Sequence, residues 1–177
     1  MNFGKAKPKS NTAITKAFIA LGSNAGDSRE NVIRAAALLE DFSETPVLVS
    51  SLWQTTPVDC PPGSALFVNA VVGLIPLPGE TPESLLANLQ QLEMEFGRQP
   101  KKVLNEPRPL DLDLIAFGGE TRSSSGLILP HPRAHFRKFV LATLAEIAPD
   151  LILPGQSKTV LELLNGLTSD ETIRKWS

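Results

Sequence analysis

Apolar residues along this chain of 177 residues fall into short runs and periodic stripes, separated by breaks rich in proline and glycine. "AFIAL" (Ala17–Leu21) is an unbroken apolar run ended by Gly22-Ser23-Asn24, which predicts a buried strand. In "GDSRENVIRAAALLEDF", Val32, Ala35, Ala36 and Leu39 share one helical face behind Asp27 or Ser28 as cap and Glu30 in the first turn. The spacing predicts a helix of about four turns. Val47–Thr55 and Leu66–Leu74 read as second and third strands flanking a Pro/Gly loop at Pro57–Ala65. Thr81 as cap and Pro82 at the first helical position open a second helix over Glu83–Gly97, with Leu85, Leu86, Leu89, Leu92 and Phe96 as its core stripe. "RQPKKVLNEPRP" has no periodicity and predicts a long loop. "LDLDLIAFG" reads as a fourth strand and "GGETRSSSG" as a turn. "LILPHPRAHFRKFVLATLAEIAP" then reads as a short strand, a Pro-His-Pro break and a helix from about Phe136 to Ala148, and "VLELLNGL" as a last short helix.

The order βαββαβ, followed by helices and a tail, predicts an α+β fold of the ferredoxin-like type: one antiparallel sheet with helices packed on it, plus C-terminal helices. Residues 1–16 are polar and mildly basic and read as a flexible arm; residues 17–177 read as a single domain. Seventeen Lys and Arg stand against nineteen Asp and Glu, so the chain lacks the basic excess of a nucleic-acid surface, and no nucleic-acid partner is expected. A local cationic pocket remains compatible with that balance. The single cysteine, Cys60, excludes an internal disulfide and points to a reducing compartment. No apolar run is long enough to span a bilayer. The expectation is a cytoplasmic monomer without a membrane partner.

Candidate chemistry centres on "NEPRPLDLDLIAFGG". On a strand, Asp111 and Asp113 face the same side, about 6.6 Å apart along the chain, and the intervening leucines face the other. A solvated strand face explains that pattern, and so does a divalent-cation site. Two adjacent carboxylates repel, and a bound cation relieves the repulsion. Hard oxygen ligands suit Mg²⁺, commonly held by one or two carboxylates plus substrate phosphates. Arg108, three residues earlier, places a guanidinium near the same mouth and favours the metal–phosphate reading. Further cations come from Arg98, Lys101 and Lys102, and from His131, Arg133, His135, Arg137 and Lys138. The second group lies at a helix start, where cations oppose the helix dipole, so an anion should compensate. Zinc is disfavoured, because His131 and His135 have Pro132 between them and no third His or Cys nearby. Phe67 and Asn69 share a strand face and together offer a stacking ring and an amide to the edge of a heterocycle; a core Phe beside a strand irregularity is the plainer alternative. No phosphate-binding glycine motif and no nucleophile elbow is present.

Five blocks taken in order, "ALGSNAGD", "TTPV…FVNAV", "LEMEFGR", "PRPLDLDLIAFG" and "LPHPRAHFRKFVL…LAEIAPDL", resemble the 6-hydroxymethyl-7,8-dihydropterin pyrophosphokinase family from about Ala17 to Pro154. The resemblance implies transfer of pyrophosphate from ATP to the pterin hydroxymethyl group with release of AMP, in folate biosynthesis, using two Mg²⁺. It implies Asp111 and Asp113 as the ligands of both metals. It implies Arg98, Arg108, His131 and Arg137 as the triphosphate clamp, with Lys101 and Lys102 assisting. Gln90 and Glu93 would lie near the nucleoside, and the backbone around Leu114 and around Leu127, Ile128 and Leu129 would form the adenine slot. Thr55, Thr56, Val58 and Asn69 would form the pterin's hydrogen-bonding edge, and Phe67 and Phe139 would stack on it. The loops Val58–Leu66 and Gln99–Pro107 would be lids. The chain departs from some relatives at Asn105-Glu106, where they carry Trp-Gly, at Pro100, where they carry a second loop arginine, and at Phe67, which lacks their aromatic hydroxyl. A catalytically weak ferredoxin-like binding module, a paralogue that retains the pocket, and a nucleic-acid-binding ferredoxin-like domain are the other classes the pattern admits.

Overall fold

The structure is a computed structural model that describes residues 15–57, 63–99 and 106–176. The elements run β1 (Ala17–Ser23), α1 (Ser28–Leu38), β2 (Leu48–Val49), β3 (Trp53–Thr55), β4 (Phe67–Leu74), α2 (Pro82–Glu95), β5 (Asp111–Phe117), β6 (Arg122–Ser123), β7 (Ile128–Leu129), α3 (Lys138–Ile147), α4 (Val160–Gly166) and β8 (Ile173–Lys175). Short 3-10 turns occupy Leu39–Phe42 and Ala134–Phe136. The main sheet is ordered β5-β1-β4-β3-β8, with β2 also on β4, and its pairings are antiparallel. Leaving out β8, that is the strand order of the ferredoxin-like fold expected from the sequence.

The apolar run at Ala17 is buried on both faces because β1 sits between β5 and β4 and has helices on either side. On one face, Ile19, Leu21, Val68, Ala70, Leu112 and Leu114 pack with Val32 and Ala35 of α1 and Leu85 and Leu89 of α2. On the other face, Phe18, Ala20, Val71 and Ile115 pack with Val140, Leu141 and Leu144 of α3 and Val160 of α4. Leu85 and Leu89 are fully enclosed, and burying each contributes about 1.5–3 kcal/mol.

Local caps set the helix limits. Asp27 accepts the Glu30 N–H at 3.0 Å and starts α1. Thr81 and Ser84 each accept the other's backbone N–H, at 3.1 and 2.9 Å, behind Pro82, so α2 opens where a capping box and an N-terminal proline coincide. Gly97 ends it at φ +89°, a conformation that favours glycine.

Four departures from the sequence expectation have physical causes. The expected second strand is two pieces, β2 and β3, because the Ser50 hydroxyl takes the Val71 N–H at 2.9 Å in place of a backbone carbonyl. The Ser50 N–H still reaches the Val71 carbonyl at 2.9 Å. The helix expected from Phe136 starts at Lys138, because Arg137 is extended (φ −89°, ψ 117°) and the preceding turn is tied to the sheet by the His131 N–H on the Ile115 carbonyl, 2.8 Å. The segment read as a turn before Gly126 contains β6, which pairs with β7. The tail contains β8, which pairs with the open edge of β3. Glu146 of α3 braces that edge, accepting from the Ser51 N–H (2.7 Å) and Trp53 Nε1 (3.0 Å) and pairing with Lys175 (3.2 Å).

The Ser50 substitution for a ladder carbonyl is testable. Ser50→Ala leaves a buried Val71 N–H without its partner, and urea denaturation should show a loss of about 1–3 kcal/mol with an unchanged m-value.

Candidate active site

Strand register assembles the site. Gly22 on β1 lies opposite Asn69 on β4 and opposite Asp111 on β5, and Ala20 lies opposite Asp113. Phe67, Asn69, Gly22, Asp111 and Asp113 therefore share the sheet face toward α3, and Leu112 and Leu114 enter the core on the other. The Gly22 position is a gap in this row. A Cβ there would meet Asn69 Oδ1 at 3.0 Å and Phe67 Cδ1 at 3.8 Å. Above the row is a cavity of about 470 Å³. Its other walls are Thr55–Pro57 after β3, Arg133, Phe136, Arg137 and Phe139 around the start of α3, and Ser169–Glu171 before β8.

The polar edge is preset. The Asn69 side chain is buried and donates one amide hydrogen to Thr55 Oγ1 at 2.9 Å. That bond fixes the amide, and its carbonyl oxygen stands over Gly22. Two of the three wall phenylalanines are accompanied by an arginine: the Arg108 guanidinium carbon lies 5.6 Å from the Phe67 ring centre, and that of Arg137 lies 5.8 Å from the Phe139 ring centre.

Asp111 is the electrostatic centre. Its Oδ1 accepts from Arg98 Nη1 and its Oδ2 from Arg108 Nη2, both at 2.7 Å. Arg98 Nη1 also pairs with Glu93 of α2. Glu93 Oε1 in turn accepts the outward Leu112 N–H of β5 at 2.6 Å. Arg108 is positioned through its backbone: its N–H donates to Asn24 Oδ1 (2.9 Å) and its carbonyl accepts the Asn24 N–H (3.2 Å). The Arg108 Nε and Asn24 Nδ2 donors are buried without a partner among the described residues.

Asp113 makes none of these ion pairs. Burial, and then the charge of Asp111, raise its pKa, and His131, Arg137 and Arg108 oppose the shift. Burial lowers the pKa of His131 and of Arg137. Burial pushes Glu93 up to about 7 against the Leu112 N–H and Arg98. A divalent cation fits this pair: it would favour the ionised form of Asp113, which burial and Asp111 disfavour. Among the described residues no group of three or more His, Cys, Asp or Glu could hold a metal, so the other ligands of such an ion would be water or substrate oxygens, as Mg²⁺ accepts.

The cavity wall brings together Thr55, Thr56, Phe67, Asn69, Arg108, Asp111, Asp113, Arg137 and Phe139. Arg98 and Glu93 join through Asp111. His131 stands within the field of Asp113 and Arg137. Gln90 is exposed on α2, Leu114 is buried in the core, Leu127 and Leu129 are buried, and Ile128 is exposed on β7; these lie off the cavity wall. Val58, Lys101 and Lys102, and with them Cys60, Pro100 and Asn105, lie outside the described residues. The sequence reading missed Gly22, Asn24, Phe136 and Glu171. The glycine after "AFIAL" was visible, but its place between Asn69 and Asp111 depends on pairing.

Residues 18–149 match the family described as 7,8-dihydro-6-hydroxymethylpterin-pyrophosphokinase (HPPK). A protein of Bacillus subtilis (strain 168) named 2-amino-4-hydroxy-6-hydroxymethyldihydropteridine pyrophosphokinase is 38% identical over 161 residues, covering 90% of this chain and 89% of that one. A Pseudomonas aeruginosa protein of the same name is 39% identical over 142 residues, covering 80% and 85%. The crystal structure of wild-type Plasmodium falciparum HPPK-DHPS with pteroate has a TM-score of 0.67 at 13% identity over 85% of this chain, a likeness of fold. This chain covers 44% of that longer one.

Glu93 gives a pH signature. Its folded pKa of about 7 lies above the ordinary 4.5, so its contribution is fully present below 4.5 and is lost as pH rises through about 7. In ligand-free protein, the melting temperature of wild type relative to Glu93→Gln should fall across that window; a gap that does not change with pH would contradict the shift.

Proposed function

Because the chain belongs to the 7,8-dihydro-6-hydroxymethylpterin-pyrophosphokinase family, we propose that this cavity transfers pyrophosphate from ATP to 6-hydroxymethyl-7,8-dihydropterin, releasing AMP, in folate biosynthesis. The observation that carries the reading is one cavity holding an aromatic–amide slot, a carboxylate pair and arginines together. The pterin lies between Phe67 and Phe139, over Gly22, with its polar edge toward Asn69 and the Thr55–Val58 backbone. The Asn69 carbonyl, held by Thr55, accepts a hydrogen bond from the ring.

Arg98, Arg108, His131 and Arg137 hold the triphosphate, with Lys101 and Lys102. Gln90, Glu93 and the backbone at Leu114, Leu127 and Ile128 border the nucleoside. Asp111 and Asp113 would hold Mg²⁺, two ions in the full complex, which would supply charge neutralisation at the phosphates. Arg98 and Arg108 are already gathered at Asp111, so their charge reaches the phosphates at little reorganisation cost. The hydroxymethyl oxygen attacks the β-phosphorus in line, the bond from that phosphorus to the α,β-bridging oxygen breaks, and the hydroxyl proton passes to solvent. The residues supply positioning and charge rather than a strong base. The chain works as a single domain over 17–177, a cytoplasmic monomer without nucleic acid. The single cysteine supports a reducing compartment and the charge balance argues against a nucleic-acid surface, and no helix among the described residues is long and apolar enough to cross a membrane.

Protein mixed with ATP, Mg²⁺ and the dihydropterin should produce AMP only when all three are present. ADP in place of AMP would overturn the reaction class. Asp113→Asn should abolish AMP formation with the fold intact, and normal turnover there would refute the metal assignment. Gly22→Ala crowds Asn69 Oδ1 at 3.0 Å. It should raise KM for the pterin with little change for ATP, read from steady-state kinetics in each substrate.

A further inference from the structure

The cations at the start of α3 call for an anion, and the helix supplies none at that end. Arg137 makes no side-chain cap, and the first turn carries no acidic residue. The anion comes from 33 residues further along the chain. Glu171 Oε2 accepts the Lys138 N–H at 2.9 Å. The Phe139 backbone also favours the charged form of that carboxylate. Lys138 Nζ closes the contact on the Glu171 carbonyl at 3.2 Å. One residue later, the Thr172 carbonyl accepts the Thr56 N–H at 3.1 Å. Two adjacent residues of the tail thus bind two different walls of the cavity. One wall carries the Phe139 ring and the other carries the Thr55–Pro57 edge.

We propose that Glu171-Thr172 is a tie that sets the width of the pterin slot, with Glu171 as the positioning residue for Phe139. This rests on the reading that the cavity takes the pterin.

The first N–H groups of a helix have no partner within it. A carboxylate that accepts the first of them helps fix where the helix begins, and an anion there also suits the helix dipole. Phe139 is the second residue of α3, so its ring direction follows that anchored backbone. The same carboxylate lies in the field of Arg137 and Lys138, so the chain itself supplies negative charge at this helix start. On the far side, Thr56 is held through a backbone carbonyl that side-chain substitution leaves in place. Glu171 is therefore the end of the tie that mutation can release. Ser169 accepts the Glu171 N–H at 3.1 Å and stiffens the turn that presents it. A cap that served stability alone would affect all ligands equally.

The test uses the full chain with Glu171→Ala and Glu171→Gln. Calorimetric titration with 6-hydroxymethyl-7,8-dihydropterin is run with Mg²⁺ and α,β-methylene ATP present; the nucleotide analogue is titrated separately. Glu171→Ala should weaken pterin binding about tenfold, the scale of losing hydrogen bonds to a charged group, and nucleotide binding less than about threefold. Glu171→Gln, which keeps an acceptor, should fall between it and wild type. Unchanged pterin affinity, or equal weakening of both ligands, overturns the tie. If wild type itself neither binds nor converts the pterin, the functional reading falls. Amide exchange at Lys138 and Phe139, read by NMR without ligand, then judges the tie alone. Faster exchange in Glu171→Ala supports it, and unchanged exchange overturns it.

Discussion

The two-residue period of an extended chain governs this site. On β5 it sends Leu112 and Leu114 beneath the helices and Asp111 and Asp113 to the opposite face. On β4 it separates Val68 and Ala70 from Phe67 and Asn69, and on β1 it separates Leu21 from Gly22. A one-residue slip in any of these strands would exchange the two sets. For β5 that would place two carboxylates under α2, at a cost of several kcal/mol per uncompensated charge. The apolar packing therefore specifies the register, and the register aligns the polar groups. Asp111, Gly22 and Asn69 stand in one row because the core on the other face tolerates no other alignment.

Charge then links the segments that the strands leave apart. Asp111 spends one oxygen on Arg98, at the end of α2, and the other on Arg108, ahead of β5. Glu93 draws Arg98 toward the sheet edge and satisfies the Leu112 N–H. Asn24 sets the backbone of Arg108 from the loop after β1. Three chain segments meet around one carboxylate, and Asp113 beside it stays outside the ion pairs among the described residues. One aspartate organises cations and the other keeps its coordination capacity.

Much of the fold was legible where the signal is local. The cap at Asp27, the Thr81–Pro82 opening of α2, the apolar run of β1 and the alternation of β5 each lie within a few residues, and each marks an element that formed. What was not legible depends on partners distant in sequence. Three residues of β8 have no telling period and are a strand because β3 offers an edge. Ser50 breaks a strand because Val71 lies across from it. At the site, the aspartate pair, Arg108 and the Phe67–Asn69 pair could be read from spacing alone. The Asn24–Arg108 bond joins residues 84 apart, and Glu171 meets a helix start 33 residues earlier. The need for an anion at that helix start was readable from its cations. That the chain itself supplies one was not.

Arg108 touches both halves of the cavity, holding Asp111 through Nη2 and lying over the Phe67 ring. A ligand that draws this guanidinium from the carboxylate also changes what lies over the ring. By thermodynamic reciprocity, a ligand seated on the ring then alters ligand affinity on the carboxylate side by the same factor. One shared side chain thus suffices to make the two halves cooperate without any movement of the sheet between them.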